Sequence, residues 1–104
     1  MNDVETIDEV EESIDDGSTT LLLFTRETTP ERERLIRGVR RLVRQNTAVR
    51  AFHIDLDTIP TAAARYTIYS TPAYAVYYRG RMASKVEGDF RISHIAQTLV
   101  GLLG

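Results

Sequence analysis

Thr29 and Pro30 stand where a helix is expected to begin, and Thr29 is the first residue whose type and place could do chemistry. Its hydroxyl can cap the helix, which is worth about 1 kcal/mol. Acting instead as a nucleophile, it would need a base within hydrogen-bond reach. Asp55 and Asp57 form an Asp-x-Asp pair that could hold a metal or exchange protons, or could end a strand and brace the loop after it. Two carboxylates without further ligands are a weak metal signal. His53 and His94, the only histidines, are too few for a histidine-rich metal site and read as ordinary polar side chains. Cysteine is absent, which excludes disulfides, thiolate nucleophiles, Fe–S clusters and cysteine-ligated zinc together. No cofactor and no metal are expected.

The other chemistry in the chain is charge. Residues 1–16 carry eight carboxylates and no base, which leaves 13 basic residues against seven acidic ones in the remainder. Arg34, Arg37, Arg41 and Arg44, with Arg40 beside them, form a stripe along one helix face. Glu31 three residues before Arg34 and Glu33 four before Arg37 offer local ion pairs. Arg40, Arg41 and Arg44 are left without one, so the stripe suits an acidic partner. Nucleic acid is disfavoured, because the isoelectric point is near 5.6 and no aromatic residue interleaves the arginines. Tyr66, Tyr69, Tyr74, Tyr77 and Tyr78 surround Pro72, where core packing is their first use and interface contact their second.

These residues need a scaffold, and 104 residues with 42% apolar composition make one globular domain, 1–104. The longest apolar run, Leu21 to Phe24, is far too short to cross a membrane. An acidic beginning without a basic-then-apolar signal points to the cytoplasm. Val4, Ile7, Val10 and Ile14 predict a helix capped by Asp3 and stopped by Gly17. Thr19–Thr25 reads as a central strand buried on both faces. Pro30 to about Gln45 is the second helix, Ala48–Asp55 a strand, and Thr61–Tyr66 a short alanine-rich helix. A strand from Thr71 to Tyr78 turns at Arg79-Gly80 into Arg81–Glu87. The last helix covers about Phe90 to Leu103, with Ile92, Ile95, Ala96, Leu99, Val100 and Leu103 on its apolar face. The order α-β-α-β-α-β-β-α predicts a four-stranded mixed sheet with helices on both faces, an α/β fold.

That order, with three local strings, resembles the thioredoxin family over essentially the whole chain. Leu22 to Arg32 matches the family's strand, active-site loop and helix start. His53-Ile54-Asp55 with Tyr66 and Ile68 matches its third strand and short helix. Ser70-Thr71-Pro72-Ala73 with Val76 to Gly80 matches its cis-proline segment and hairpin. The resemblance implies a cis Thr71–Pro72 bond, and the match runs without the extra N-terminal strand of full-length thioredoxins. It also places Thr29-Pro30-Glu31-Arg32 on the family's two-cysteine redox motif, Leu23 on its buried acid, and no histidine near Thr29. Nucleophile, resolving thiol and proton relay are therefore all missing.

What the resemblance still implies is the family's peptide groove, between the active-site loop and the cis-proline. A redox-inactive binding module, an adaptor or a chaperone-like protein, is the expected function, and an enzyme is not. An extended peptide would pair with the backbone of Thr71 and touch Thr28, Thr29, Pro30, Ser70 and Pro72. Arg32 is expected either along the rim, where it would draw an acidic segment, or paired with Glu27 or Glu31, which would leave the groove vacant. The alternative is an electrostatic interaction protein using the Arg34–Arg44 face. The partner is thus another protein or peptide, with neither membrane nor nucleic acid, and a homodimer is compatible with the sequence.

Overall fold

Seven consecutive residues, Thr19–Thr25, are all buried, because the strand they form (β2) lies mid-sheet with helices over both faces. A computed structural model describes residues 1–104, and four further strands flank β2. They are β1 (Asn2–Asp3), β3 (Val49–Asp55), β4 (Ala73–Tyr78) and β5 (Arg81–Glu87), in the spatial order β1-β3-β2-β4-β5. β3 runs parallel to both β1 and β2, whereas β4 is antiparallel to β2 and to β5. The helices are α1 (Asp8–Asp15), α2 (Pro30–Arg44), α3 (Thr61–Tyr66) and α4 (Ile92–Leu103).

Strand alternation divides the core in two. Leu22, Phe24, Phe52, Ile54 and Ala75 pack with Val10 and Ile14 of α1 and with Ala62 and Tyr66 of α3. Leu21, Leu23, Ala51, Tyr74 and Val76 pack with Ile36 and Val39 of α2 and with Ile95 and Leu99 of α4. Burial of each large side chain contributes roughly 1.5–3 kcal/mol, which makes the two layers the main source of stability. The Arg79-Gly80 turn has positive φ at both residues (52° and 81°), the geometry of a tight hairpin.

Three expectations are corrected. The sheet has five strands, not four, since Asn2 and Asp3 pair with Phe52 and His53 on the outer edge of β3. Asp3 therefore lies in a strand and caps nothing; α1 begins at Asp8, behind Ile7, which makes no side-chain cap. Two residues carry no period, so sequence pattern cannot reveal such a strand. On α4, Val100 is 68% exposed and Leu103 also faces out, whereas Ile95 and Leu99 are buried and Ile92 and Leu102 partly so. The apolar residues extend further round the helix than the sheet can cover.

Candidate functional site

The loop from β2 into α2 is fixed by its own side chains. Thr29 is extended (φ −131°, ψ 158°), Pro30 occupies the first helical position, and Thr29 Oγ1 accepts a hydrogen bond from the Arg32 N–H at 3.1 Å. The hydroxyl is a helix cap, as its place before the proline suggests. Thr29→Ala should cost about 1 kcal/mol. Thermal unfolding should show it as a fall of roughly 4–8 °C; an unchanged midpoint would deny the cap its role.

Upstream, Glu27 has φ +52°, a conformation a non-glycine residue adopts only when held. Asp57 holds it, accepting from the Glu27 N–H at 2.7 Å. Asp55 Oδ1 accepts from the Asp57 N–H at 2.9 Å, and Asp55 Oδ2 accepts from Arg32 Nη2 at 3.1 Å. The Asp-x-Asp pair thus braces the loop with its carboxylates already engaged, and no group of acids and histidines is arranged to hold a metal.

Facing this loop is the segment before β4. The Thr71–Pro72 bond is cis. Glu87 of β5 accepts from the N–H groups of Ser70 and Tyr69, and those bonds hold its carboxyl below the usual carboxylate range. The Gly88 N–H donates to the Pro72 carbonyl at 2.9 Å. Thr71 itself makes no hydrogen bond within the protein through its N–H or its carbonyl.

Loop and segment meet across a cleft of about 430 Å³. Of the residues singled out in the sequence, Thr29, Arg32, Thr71 and Pro72 line it, whereas Thr28, Pro30 and Ser70 flank it. The structure adds Thr25 and Leu35, with Asp89 and Phe90 from the turn before α4, and Arg26, Glu27 and Glu31 at the mouth. The pattern of residues gave no sign of Asp89 and Phe90, which reach the cleft only because β5 returns beside the proline.

Strand order, crossovers and the proline facing a helix N-terminus decide the architecture. The chain has the thioredoxin fold. A designed protein of 22% identity superposes with a TM-score of 0.88, covering 99% of this chain and 92% of its own. The thioredoxin of Fasciola hepatica, 18% identical, gives 0.86 over 98% of this chain and 99% of that one. A mutant thioredoxin of Halobacterium salinarum, 19% identical, gives 0.85 over 98% and 89%. No protein-family model and no curated protein matches the sequence. The redox cysteines are lacking, with Thr29 and Arg32 at the head of α2 and a fully buried leucine, Leu23, on the strand behind. Thiol–disulfide exchange has no thiol to run on.

Arg32 lines the thioredoxin-fold groove but is paired inward, with the Glu27 carbonyl and with Asp55 in place of the Glu27 or Glu31 carboxylate expected. Its side chain is only 14% exposed and turns under the loop, with Nη1 donating to the Glu27 carbonyl at 3.0 Å and Nη2 to Asp55. Asp55 sits at the end of β3 beneath the first turn of α2, and a partly buried carboxylate takes the nearest cation. The two terminal nitrogens are therefore paired inside the protein, while the buried Nε has no hydrogen-bond partner and the residue still lines the cleft.

The arginine stripe is also divided. Arg40 is bound to Asp3 through Nη2 and to the Met1 carbonyl through Nη1, so it is not free as its local sequence suggests. Arg34 pairs with Glu31 at 3.4 Å, while Glu33 lies by Arg32 and leaves Arg37 unpaired. Arg37, Arg41 and Arg44 are exposed and take part in no ion pair.

One buried polar chain escaped the sequence reading. His53 joins Thr25 Oγ1, 2.7 Å from its Nε2, to Asp3 Oδ1, which accepts from its Nδ1 at 2.7 Å. A hydroxyl, an imidazole and a carboxylate in series have the outline of a nucleophilic triad. Thr25 is 2% exposed and His53 4%, so although Thr25 borders the cleft its hydroxyl is engaged by the imidazole almost wholly inside the protein. The chain acts as a clamp that fastens β1 to the sheet. No signal in the sequence could have joined residues 3, 25 and 53. His94, by contrast, is exposed on α4, its ring edge-on to Tyr74.

Proposed function

We propose that this is a redox-inactive, non-enzymatic binding module that holds an extended segment of another protein in the cleft beside Pro72, with the cytoplasm as its expected setting. The unpaired backbone of Thr71 carries the reading. Thr71 lines the cleft half-exposed, and its N–H and carbonyl have no partner within the protein and are open to an incoming chain. An extended chain laid beside Thr71 would satisfy both groups, in the manner of strand addition. Leu35, Phe90 and Pro72 supply apolar wall for one side chain of that segment. Glu27, Glu31 and Asp89 against Arg26, with Arg32 neutralised by Asp55, favour a neutral or basic segment over an acidic one.

Titration of the isotope-labelled protein with unstructured peptides of neutral, basic and acidic character tests this. Amide shifts should cluster at 25–32, 71–73 and 88–90, and should be larger for the neutral and basic peptides. Shifts confined to residues 34–44 would move binding to the arginine face and end the groove reading. The same protein should leave insulin disulfides as unreduced as buffer does.

A further inference from the structure

We infer that the free basic face of α2 docks on α1 of a second copy of this chain, so that copies associate head to tail. The cleft plays no part in this contact. Arg37, Arg41 and Arg44 are exposed, lie at i, i+4 and i+7, and have no ion-pair partner within the protein. On α1, Asp8, Glu12 and Asp15 lie at the same i, i+4 and i+7 spacing, are exposed, and are equally unpaired. The neighbouring Glu11 and Asp16 are already taken by Arg65 and Arg50. Glu5 and Glu9 add two more exposed carboxylates, and residues 1–16 contain no base to offset them.

Both triplets extend about 10 Å along a helix of 1.5 Å rise per residue. Laid side by side in parallel they fall in register. Laid antiparallel, the middle pair is displaced by about 1.5 Å, well within the reach of an arginine. The two faces cannot meet within one molecule, because α1 packs on one side of the sheet and α2 on the other. Joining one face to its unlike partner on the next copy is a heterologous contact, which propagates instead of closing on itself unless the rotation happens to form a ring. The net charge of −2 sets little general repulsion against it. Contacts made only of exposed ion pairs are weak and sensitive to salt. That weakness gives the association its signature.

Sedimentation velocity over a concentration series decides. At about 0.01 M salt, where the screening length is roughly 30 Å, the weight-average sedimentation coefficient should rise with protein concentration. At about 1 M salt, with roughly 3 Å of screening, it should stay at the monomer value. Arg37→Glu/Arg41→Glu/Arg44→Glu should be monomeric at low salt, and so should Asp8→Lys/Glu12→Lys/Asp15→Lys. The two charge-reversed chains mixed together should associate again, because each then offers what the other lacks. Should a reversed chain fail to fold by circular dichroism, Arg37→Gln/Arg41→Gln/Arg44→Gln takes its place and should likewise be monomeric. A monomer at every concentration in low salt overturns the inference. Association that survives reversal or neutralisation of the arginines overturns it too, and would move the contact to another surface such as the β5 edge.

Discussion

Arg32→Ala is expected to lower stability by about 2–3 kcal/mol. The Arg32–Asp55 pair is mostly shielded, at 14% and 24% exposure. Breaking a fully buried pair costs about 3–5 kcal/mol, because one charge is left without its partner, and residual solvent access here reduces that. The Glu27 carbonyl also loses its donor, at a residue already held in a left-handed conformation. Asp55→Asn on the Arg32→Ala background should recover part of the loss, since the abandoned charge is then gone. Chemical denaturation of the two single variants and the double variant measures the coupling. A cost below about 0.5 kcal/mol would mean that the pair behaves as a surface ion pair. Arg32 would then be free for a ligand after all.

His53→Ala should also be costly, by about 2–4 kcal/mol. It leaves the buried Thr25 hydroxyl without its partner and opens a cavity under α2. Its further effect should be local. β1 is two residues long and held by its pairing with β3, by the Val4 N–H on the His53 carbonyl, and by the grip of His53 and Arg40 on Asp3. Hydrogen exchange at Val4 should therefore quicken by more than the global loss of stability accounts for.

Asp3 gives the same clamp a pH signature. Burial pushes its carboxyl up, but the hydrogen bonds from His53 and Arg40, with the Arg40 charge, outweigh that and hold it below 3.8. A carboxyl with a lowered folded-state value contributes stability above its unfolded value and loses it as pH falls through the folded one. Val4 protection should hold at neutral pH and fall away below about pH 4. Protection in His53→Ala that tracked global unfolding alone would show that the pairing with β3 holds β1 without the clamp.

Amino-acid order by itself determined the scaffold and the loss of thiol chemistry. The limits of β2, β5 and α3, the cap at Thr29 and the turn at Arg79-Gly80 follow from local rules, each a matter of a few neighbouring residues. An unbroken apolar run becomes a central strand, and proline after threonine starts a helix, whatever the rest of the chain does. The opposed placement of Thr29 and Pro72 was legible as well, through resemblance to a fold with that topology. Where the polar side chains go was decided only by tertiary structure. Arg32 turns inward because Asp55 arrives from 23 residues away. Arg40 is claimed by Asp3 across 37 residues, and His53 is buried because Asp3 and Thr25 reach it from two other strands. Charged and polar groups choose partners by proximity and by the cost of losing water. Spacing along one helix therefore predicts which arginines share a face, and the packed fold decides which of them remain free.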